Sequence, residues 1–182
     1  LKVDVIVTGG SSPVAAARRA SSAIPIVMTA PSDPVGSGFV ASLAHPGGNA
    51  TGMSMMSTDL ASKDLELVRE ISPKATRVAL LGNFGRNGSL FSEQLQAAAS
   101  KAGITLAIQH IDKAEAVAGA LAALLRERPQ LLIVQHGTVT NENRKQIVEF
   151  AALQRLPAIY GSRGFAEAGG LLSYGPSLLE LY

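Results

Sequence analysis

Four times along this chain a short apolar run stops and a small, polar, helix-starting loop begins. Val3–Thr8 runs into Gly9-Gly10-Ser11-Ser12-Pro13, and Ile24–Thr29 into Ala30-Pro31-Ser32-Asp33-Pro34. Arg77–Leu81 runs into Gly82-Asn83-Phe84-Gly85, and Leu131–Gln135 into His136-Gly137-Thr138. Apolar runs without a polar face belong to parallel strands buried on both sides, and such strands need crossovers between them. Open sheets of this kind take ligands at the carboxyl ends of their strands, where these loops lie.

The intervening segments supply the crossovers. Helical patterning is expected over Pro13–Ser22, Thr58–Ile71, Ser89–Ala102, Ala114–Arg128 and Asn141–Gln154, with short helices near Phe39–Ala44 and Phe165–Ala168. In the Thr58–Ile71 segment, Leu60, Leu65, Leu67, Val68 and Ile71 make an apolar stripe at helical spacing. Further strands are expected at Thr105–Ile111 and Ala158–Tyr160, with an extended segment over Gly170–Tyr174. Gly103 and Pro129 punctuate the helix ends. Strands alternating with helices give an α/β fold on a parallel sheet. The breaker cluster Pro46-Gly47-Gly48-Asn49 divides the chain, with enough units after it for a five-stranded, doubly wound lobe and too few before it for an equal one.

Composition removes several function classes. No apolar run approaches the ~20 residues that span a bilayer. The net charge is +2, and the basic residues lie scattered at helical positions (Arg18-Arg19, Arg126, Arg128, Arg144-Lys145), as on solvated helix faces. Aromatic residues make up 4% of the chain, too few for a base-stacking platform, so nucleic acid is not an expected partner. The absence of cysteine removes disulfides, thiolate metal sites and thiol nucleophiles together.

The catalytic motifs that surface are incomplete. Gly36-Ser37-Gly38-Phe39-Val40-Ala41 fits a dinucleotide fingerprint with Asp59 downstream, but Ala30–Val35 separates it from the strand it should follow directly. Gly161-Ser162-Arg163-Gly164 lacks the residue that a nucleophile elbow places between glycine and serine. His45, His110 and His136 have no metal-ligand spacing. Asn49-Ala50-Thr51 fits a glycosylation acceptor, a three-residue pattern common by chance.

Small polar groups at strand ends remain. Ser11 and Ser12 offer hydroxyls and free N–H groups at a helix start, and one of them is expected to be the N-cap. Asp33 is either a turn aspartate or a partner for a cationic group. Asn83, Thr138, Tyr160 and Ser162 take equivalent places in the second half. Together they suit a hydrogen-bonding pocket for a small polar ligand.

With these residues in view, the chain resembles bacterial ABC-transporter substrate-binding proteins of the type I periplasmic binding protein fold, some associated with tryptophan or tyrosine uptake. The stretches that carry the resemblance are Val3–Gly9, Ile24–Val27 through Asp33–Ala44, Pro46–Gly52, Leu156–Gly161 and Glu167–Pro176. It implies two Rossmann-like lobes: a partial first lobe over 1–52, a second lobe over 53–172, and a return crossing with the start of a first-lobe helix over 173–182. Gly47–Gly52 and Leu171–Pro176 would be the crossings. Family members carry a signal peptide and a further βαβα stretch before the strand matching Val3–Thr8, and continue past Tyr182. The chain is therefore expected to be a fragment, prone to self-association, with disorder before about Met53.

The implied activity is binding of an amino acid, aromatic among the options, or a similar small polar metabolite between the lobes. No catalytic residue, metal or cofactor is implied. Ser11 and Ser12 would seat a carboxylate, and Asp33 or Thr29 an ammonium group. Asn83, Thr138, Tyr160 and Ser162 would close from the second lobe, with Phe84 as an apolar face. The implied partners are the small-molecule ligand and a membrane permease, in a periplasmic or lipid-anchored extracytoplasmic setting. The alternatives are an effector-sensing domain of a transcription regulator and a Rossmann-like cytoplasmic enzyme with Asp33 or His136 as base.

Overall fold

The computed structural model describes residues 3–31, 33–55, 57–83 and 90–176. The chain divides into two compact units, with the boundary between Thr58 and Asp59.

In the first unit, strands β1 (Ile6–Thr8), β2 (Ile26–Met28) and β3 (Ala50–Gly52) form a parallel sheet in the order β1-β2-β3, with helix α1 (Ser11–Ala20) crossing between the first two. The strands are shorter than the apolar runs that announce them. Ser21 Oγ accepts the N–H groups of Ala23 and Ile24, which holds the chain in a turn there. Pro25 has no N–H to offer, so the ladder starts with its carbonyl, which accepts from Ile6 N–H at 2.9 Å. β3 carries no apolar signature and lies where crossing chain was expected. Its place depends on Asn49, whose Nδ2 donates to the carbonyls of Ser21 (3.1 Å) and Ile24 (2.8 Å) while its own carbonyl accepts from Ile26.

One face of this sheet is covered and one is not. Ile26 and Met28 are buried with Val14, Val40 and Ala50. The alternate residues point the other way, and Val3, Val5 and Val7 are exposed.

The short helix expected near Phe39–Ala44 does not form. Phe39 and Val40 N–H both donate to Pro34 carbonyl, while Ala41 and Ser42 N–H donate forward to Pro46 and His45. Those donors are spent on two consecutive turns, the second tied by Ser42 Oγ to the backbone of His45. The glycine pattern Gly36–Ala41 lies in these turns and opens no helix.

The second unit has a five-stranded, all-parallel sheet built from β4 (Arg77–Gly82), β5 (Thr105–His110), β6 (Leu131–Val134), β7 (Ala158–Tyr160) and β8 (Leu172–Ser173). The strand order is β5-β4-β6-β7-β8. Alternate residues feed opposite cores. Val78, Leu80, Leu131, Ile133 and Ile159 pack against helices α2 (Ser57–Ile71) and α3 (Leu90–Lys101), through Ala61, Leu65, Val68, Phe91, Leu95 and Ala99. Ala79, Leu81, Leu132, Val134 and Tyr160 face the other way. They meet Val117, Leu121 and Leu124 of α4 (Ala116–Arg126), Ile147 and Ala151 of α6 (Arg144–Leu153) and Phe165 of α7 (Arg163–Glu167). Two-sided burial is why the runs are uniformly apolar, and it makes this unit doubly wound.

The helix expected over Asn141–Gln154 begins earlier and is broken. It starts at Thr138 as α5 (Thr138–Glu142) and gives way at Asn143, whose Nδ2 donates to Val139 carbonyl at 2.8 Å. Its companions end as the sequence suggests, with a refinement. Gly103 takes φ 68° after α3, but the left-handed positions before β6 and β7 belong to Arg128 and Arg155, both at φ 50°.

Candidate functional site

In the second unit β4 has β5 on one side and β6 on the other, so the chain crosses from β4 out to β5 and then back past β4 to β6. The crevice at the carboxyl ends of β4 and β6 is thus the topological switch point, where open α/β sheets accept ligands.

The loops after β4, β6 and β7 meet there. A Cβ built on Gly137 would lie 3.9 Å from Asn83 Cβ, and one built on Gly161 would lie 2.6 Å from His136 N. Only glycine fits at Gly161. The ladder runs on past the strands, with Gln135 N–H on Leu81 carbonyl (2.8 Å) and Gly161 N–H on Val134 carbonyl (2.9 Å). Behind them Thr140, fully buried, sets its hydroxyl 2.9 Å from the carbonyls of both Gln135 and Gly137. One hydroxyl proton serves both acceptors and pins the turn.

Among the described residues, two side-chain atoms in this turn are buried without a hydrogen-bond partner: Gln135 Oε1 and His136 Nε2. Burial lowers the pKa of His136, so its ring is neutral at pH 7.

The expected site residues fare differently. Asn83 and Thr138 are exposed at the ends of β4 and the start of α5. Ser162, half-buried before α7, donates from Oγ to Asn141 Oδ1 at 2.9 Å, which is a loop tie and no nucleophile–base arrangement. Tyr160 is 1% exposed and stacks on Phe165 with ring centroids 4.8 Å apart. Burial raises its phenol pKa to about 12, and its ring is core and not pocket wall. Phe84 lies outside the described residues.

In the first unit the helix N-cap is Gly10, at φ 79°, and neither serine. Ser11 and Ser12 are instead the first two residues of α1, half-buried and exposed respectively, after the carboxyl end of β1. Asp33 is a turn residue, its Oδ1 accepting Gly36 N–H at 2.8 Å. Thr29 N–H continues the ladder onto Thr8 carbonyl at 3.0 Å. Ser11, Ser12 and Thr29 thus stand at carboxyl ends of neighbouring strands of one sheet.

Sequence reading missed Gln135, His136 and Thr140 as a group. Gln135 reads as part of the strand, and His136 enters only as a single histidine and as the base of the enzyme alternative. The available signal was two polar residues directly after the four apolar residues of β6.

The family model for ABC transporter substrate binding proteins matches residues 1–181. The chain belongs to that family. A tyrosine-binding protein of Clostridioides difficile is 30% identical over 176 residues, 96% of this chain and 50% of that protein. A structure from Vibrio cholerae described as a conserved domain protein has a TM-score of 0.86 at 26% identity, covering 99% of this chain and 60% of that one. The ligand-free, open structure of a Clostridium difficile substrate binding protein with adhesive properties has a TM-score of 0.66 at 28% identity, with 98% and 60% coverage. A Streptococcus pneumoniae ABC domain in complex with L-Trp shares the fold, with a TM-score of 0.81 at 22% identity and coverage of 98% and 60%. The chain thus spans about half the length of the curated relative and 60% of these solved chains. As a member of the family its fold is that of type I periplasmic binding proteins, one of which, from Bordetella pertussis, matches with a TM-score of 0.64 over 92% of this chain and 47% of that one.

Proposed function

We propose that the protein is the solute-binding component of an ABC importer and takes up an amino acid, with aromatic side chains favoured, without chemical turnover. The observation that carries the reading is the switch point of the second unit, where three strand-end loops converge in a chain matched by the family model from residue 1 to 181. The names of the relatives support the ligand class, one being a tyrosine-binding protein and another an L-Trp complex.

In this reading Ser11 and Ser12, at the start of α1, seat the ligand carboxylate. Thr29 and the carboxylate of Asp33 receive the ammonium group. Within the second unit, Asn83, Thr138 and Ser162 are the candidate neutral hydrogen-bonding residues at the strand ends. Tyr160 acts beneath them as packing. The ligand leaves as it came, so the protein is not an enzyme. Its partner is a membrane permease, and it works outside the cytoplasm, free or lipid-anchored.

Titration calorimetry of the full-length protein against amino acids, sugars and small organic acids tests this. The expected result is saturable one-to-one binding of an amino acid that is recovered unchanged. Absence of binding across the panel, or turnover of a panel member, would overturn it.

A further inference from the structure

β6 is bracketed by two glutamines with opposite fates. Gln130, before the strand, accepts through Oε1 from Thr76 N–H (2.8 Å), Arg77 N–H (3.1 Å) and the Thr76 hydroxyl (3.3 Å). Gln135, after the strand, has its Oε1 buried with no partner, and the next residue repeats the condition at His136 Nε2. An unpaired buried polar atom is costly, and native folds seldom keep one without a use. Two adjacent ones at the switch point of a sheet point to a group that is supplied from outside.

The chemistry of the pair narrows that group. Gln135 and His136 are both uncharged, since burial disfavours the imidazolium. A glutamine amide presents oxygen or nitrogen by turning over, and a neutral imidazole nitrogen donates or accepts according to tautomer. Neither is suited to hold a full charge: a carboxylate asks for cationic or clustered N–H donors, and an ammonium group for an anion. Such ambivalent neutral groups match an uncharged O–H or N–H. The backbone of this turn is closely approached by the loop after β7, where a Cβ on Gly161 would lie 2.6 Å from His136 N, and Asn83 lies beside Gly137 at ordinary contact distance.

We propose that Gln135 and His136 are the specificity-determining residues of the second unit, hydrogen-bonding an uncharged O–H or N–H on the ligand's side chain. The protein therefore selects side chains that carry a phenol- or indole-type donor over hydrocarbon side chains of the same size. This rests on the reading of the protein as an amino-acid-binding component, and deepens it by naming what the second unit recognises. A polar site left unpaired by the wrong ligand discriminates far better than a gain or loss of apolar contact.

The test compares L-tyrosine, L-tryptophan and L-phenylalanine by calorimetry on the full-length protein and on the Gln135→Met and His136→Phe variants. The variants replace polar atoms by apolar ones of similar size, and an unchanged circular dichroism spectrum with a cooperative melt certifies that a variant is folded. The expected result is a wild-type preference for tyrosine or tryptophan over phenylalanine that falls at least about tenfold in each folded variant. A wild type that binds phenylalanine or leucine as tightly as tyrosine and tryptophan overturns this inference and leaves the binding function standing. So does an unchanged preference in a folded variant, which would make the pair a seat for a bridging water only. A wild type that binds no amino acid overturns both.

Discussion

The two ends of the second sheet are built on different principles. At the amino ends the polar groups are satisfied within the fold. Gln130 collects three donors, Arg77 Nε donates to Arg128 carbonyl at 2.9 Å, and Arg69 reaches the carbonyls of Pro73, Ala75 and Ala102. At the carboxyl ends Thr140 ties the backbone of the turn, while Gln135 and His136 leave buried atoms unpaired. One end is finished by folding. The other keeps hydrogen-bonding capacity that folding does not use, and the contrast separates residues that hold the unit together from residues available to a ligand.

The largest expected effect comes from a buried polar group that belongs to neither end. Asp64, in the middle of α2, is 6% exposed, and burial raises its pKa from 3.8 to about 7. The native state then holds this proton more tightly than the unfolded chain. The contribution of Asp64 to stability is greatest below about pH 4 and is lost as the pH rises to about 7, by up to about 4 kcal/mol. Denaturant titrations from pH 4 to 8 should show this loss, and Asp64→Asn should flatten it. An equally steep profile in the variant would assign the loss elsewhere.

Gly161→Ala comes next. Its methyl would sit 2.6 Å from His136 N, and displacing backbone should cost about 3 kcal/mol by chemical denaturation. A cost under about 1 kcal/mol would mean that the carboxyl-end loops are not held as tightly as the contrast requires.

The glutamine pair tests the contrast directly. Gln130→Met strips the partner from two backbone N–H groups and should destabilise by about 1–3 kcal/mol without altering ligand affinity. Gln135→Met removes a buried atom that bonds nothing and should leave stability unchanged or raise it, by up to about 1–3 kcal/mol. Equal costs for the two would erase the distinction between the ends.

The smallest effect concerns the approach to β7. Arg155 holds φ 50°, a strained position for a residue with a Cβ, and Arg155→Gly should raise stability by about 0.5–1 kcal/mol. A thermal melt of the variant decides the sign.

Much of this architecture was legible residue by residue. The uniformly apolar Leu131–Val134 announces a strand covered on both faces, and the stripe through Leu65 and Val68 announces the helix that covers one of them. Failures occurred where a side chain overrode a local pattern. Asn143 breaks a helix that periodicity carries through, and Pro34 and Ser42 divert the donors of a segment that reads as helical. β3 was invisible because three residues with one buried side chain carry no period, and Asn49 holds them through partners 25 and 28 positions away. The candidate site was legible only as a rule about strand ends. Small polar residues after apolar runs pointed to Asn83, Thr138 and Ser162, which the fold leaves exposed or half-buried at those ends, and to Tyr160, which it turns into the core.

By itself the amino-acid order determined the strands, most of the helices and the parallel layering, because burial on one or two faces leaves a periodic trace in the chain. Tertiary structure alone decided the strand order β5-β4-β6-β7-β8, and with it the switch point beside Gln135 and His136. It also decided which polar atoms find partners among the described residues: Gln130 Oε1 does and Gln135 Oε1 does not. The physical reason is that hydrogen-bond satisfaction is non-local. Gln130 is completed by residues 53 and 54 positions away, and whether a glutamine is staple or probe depends on what the fold brings to it.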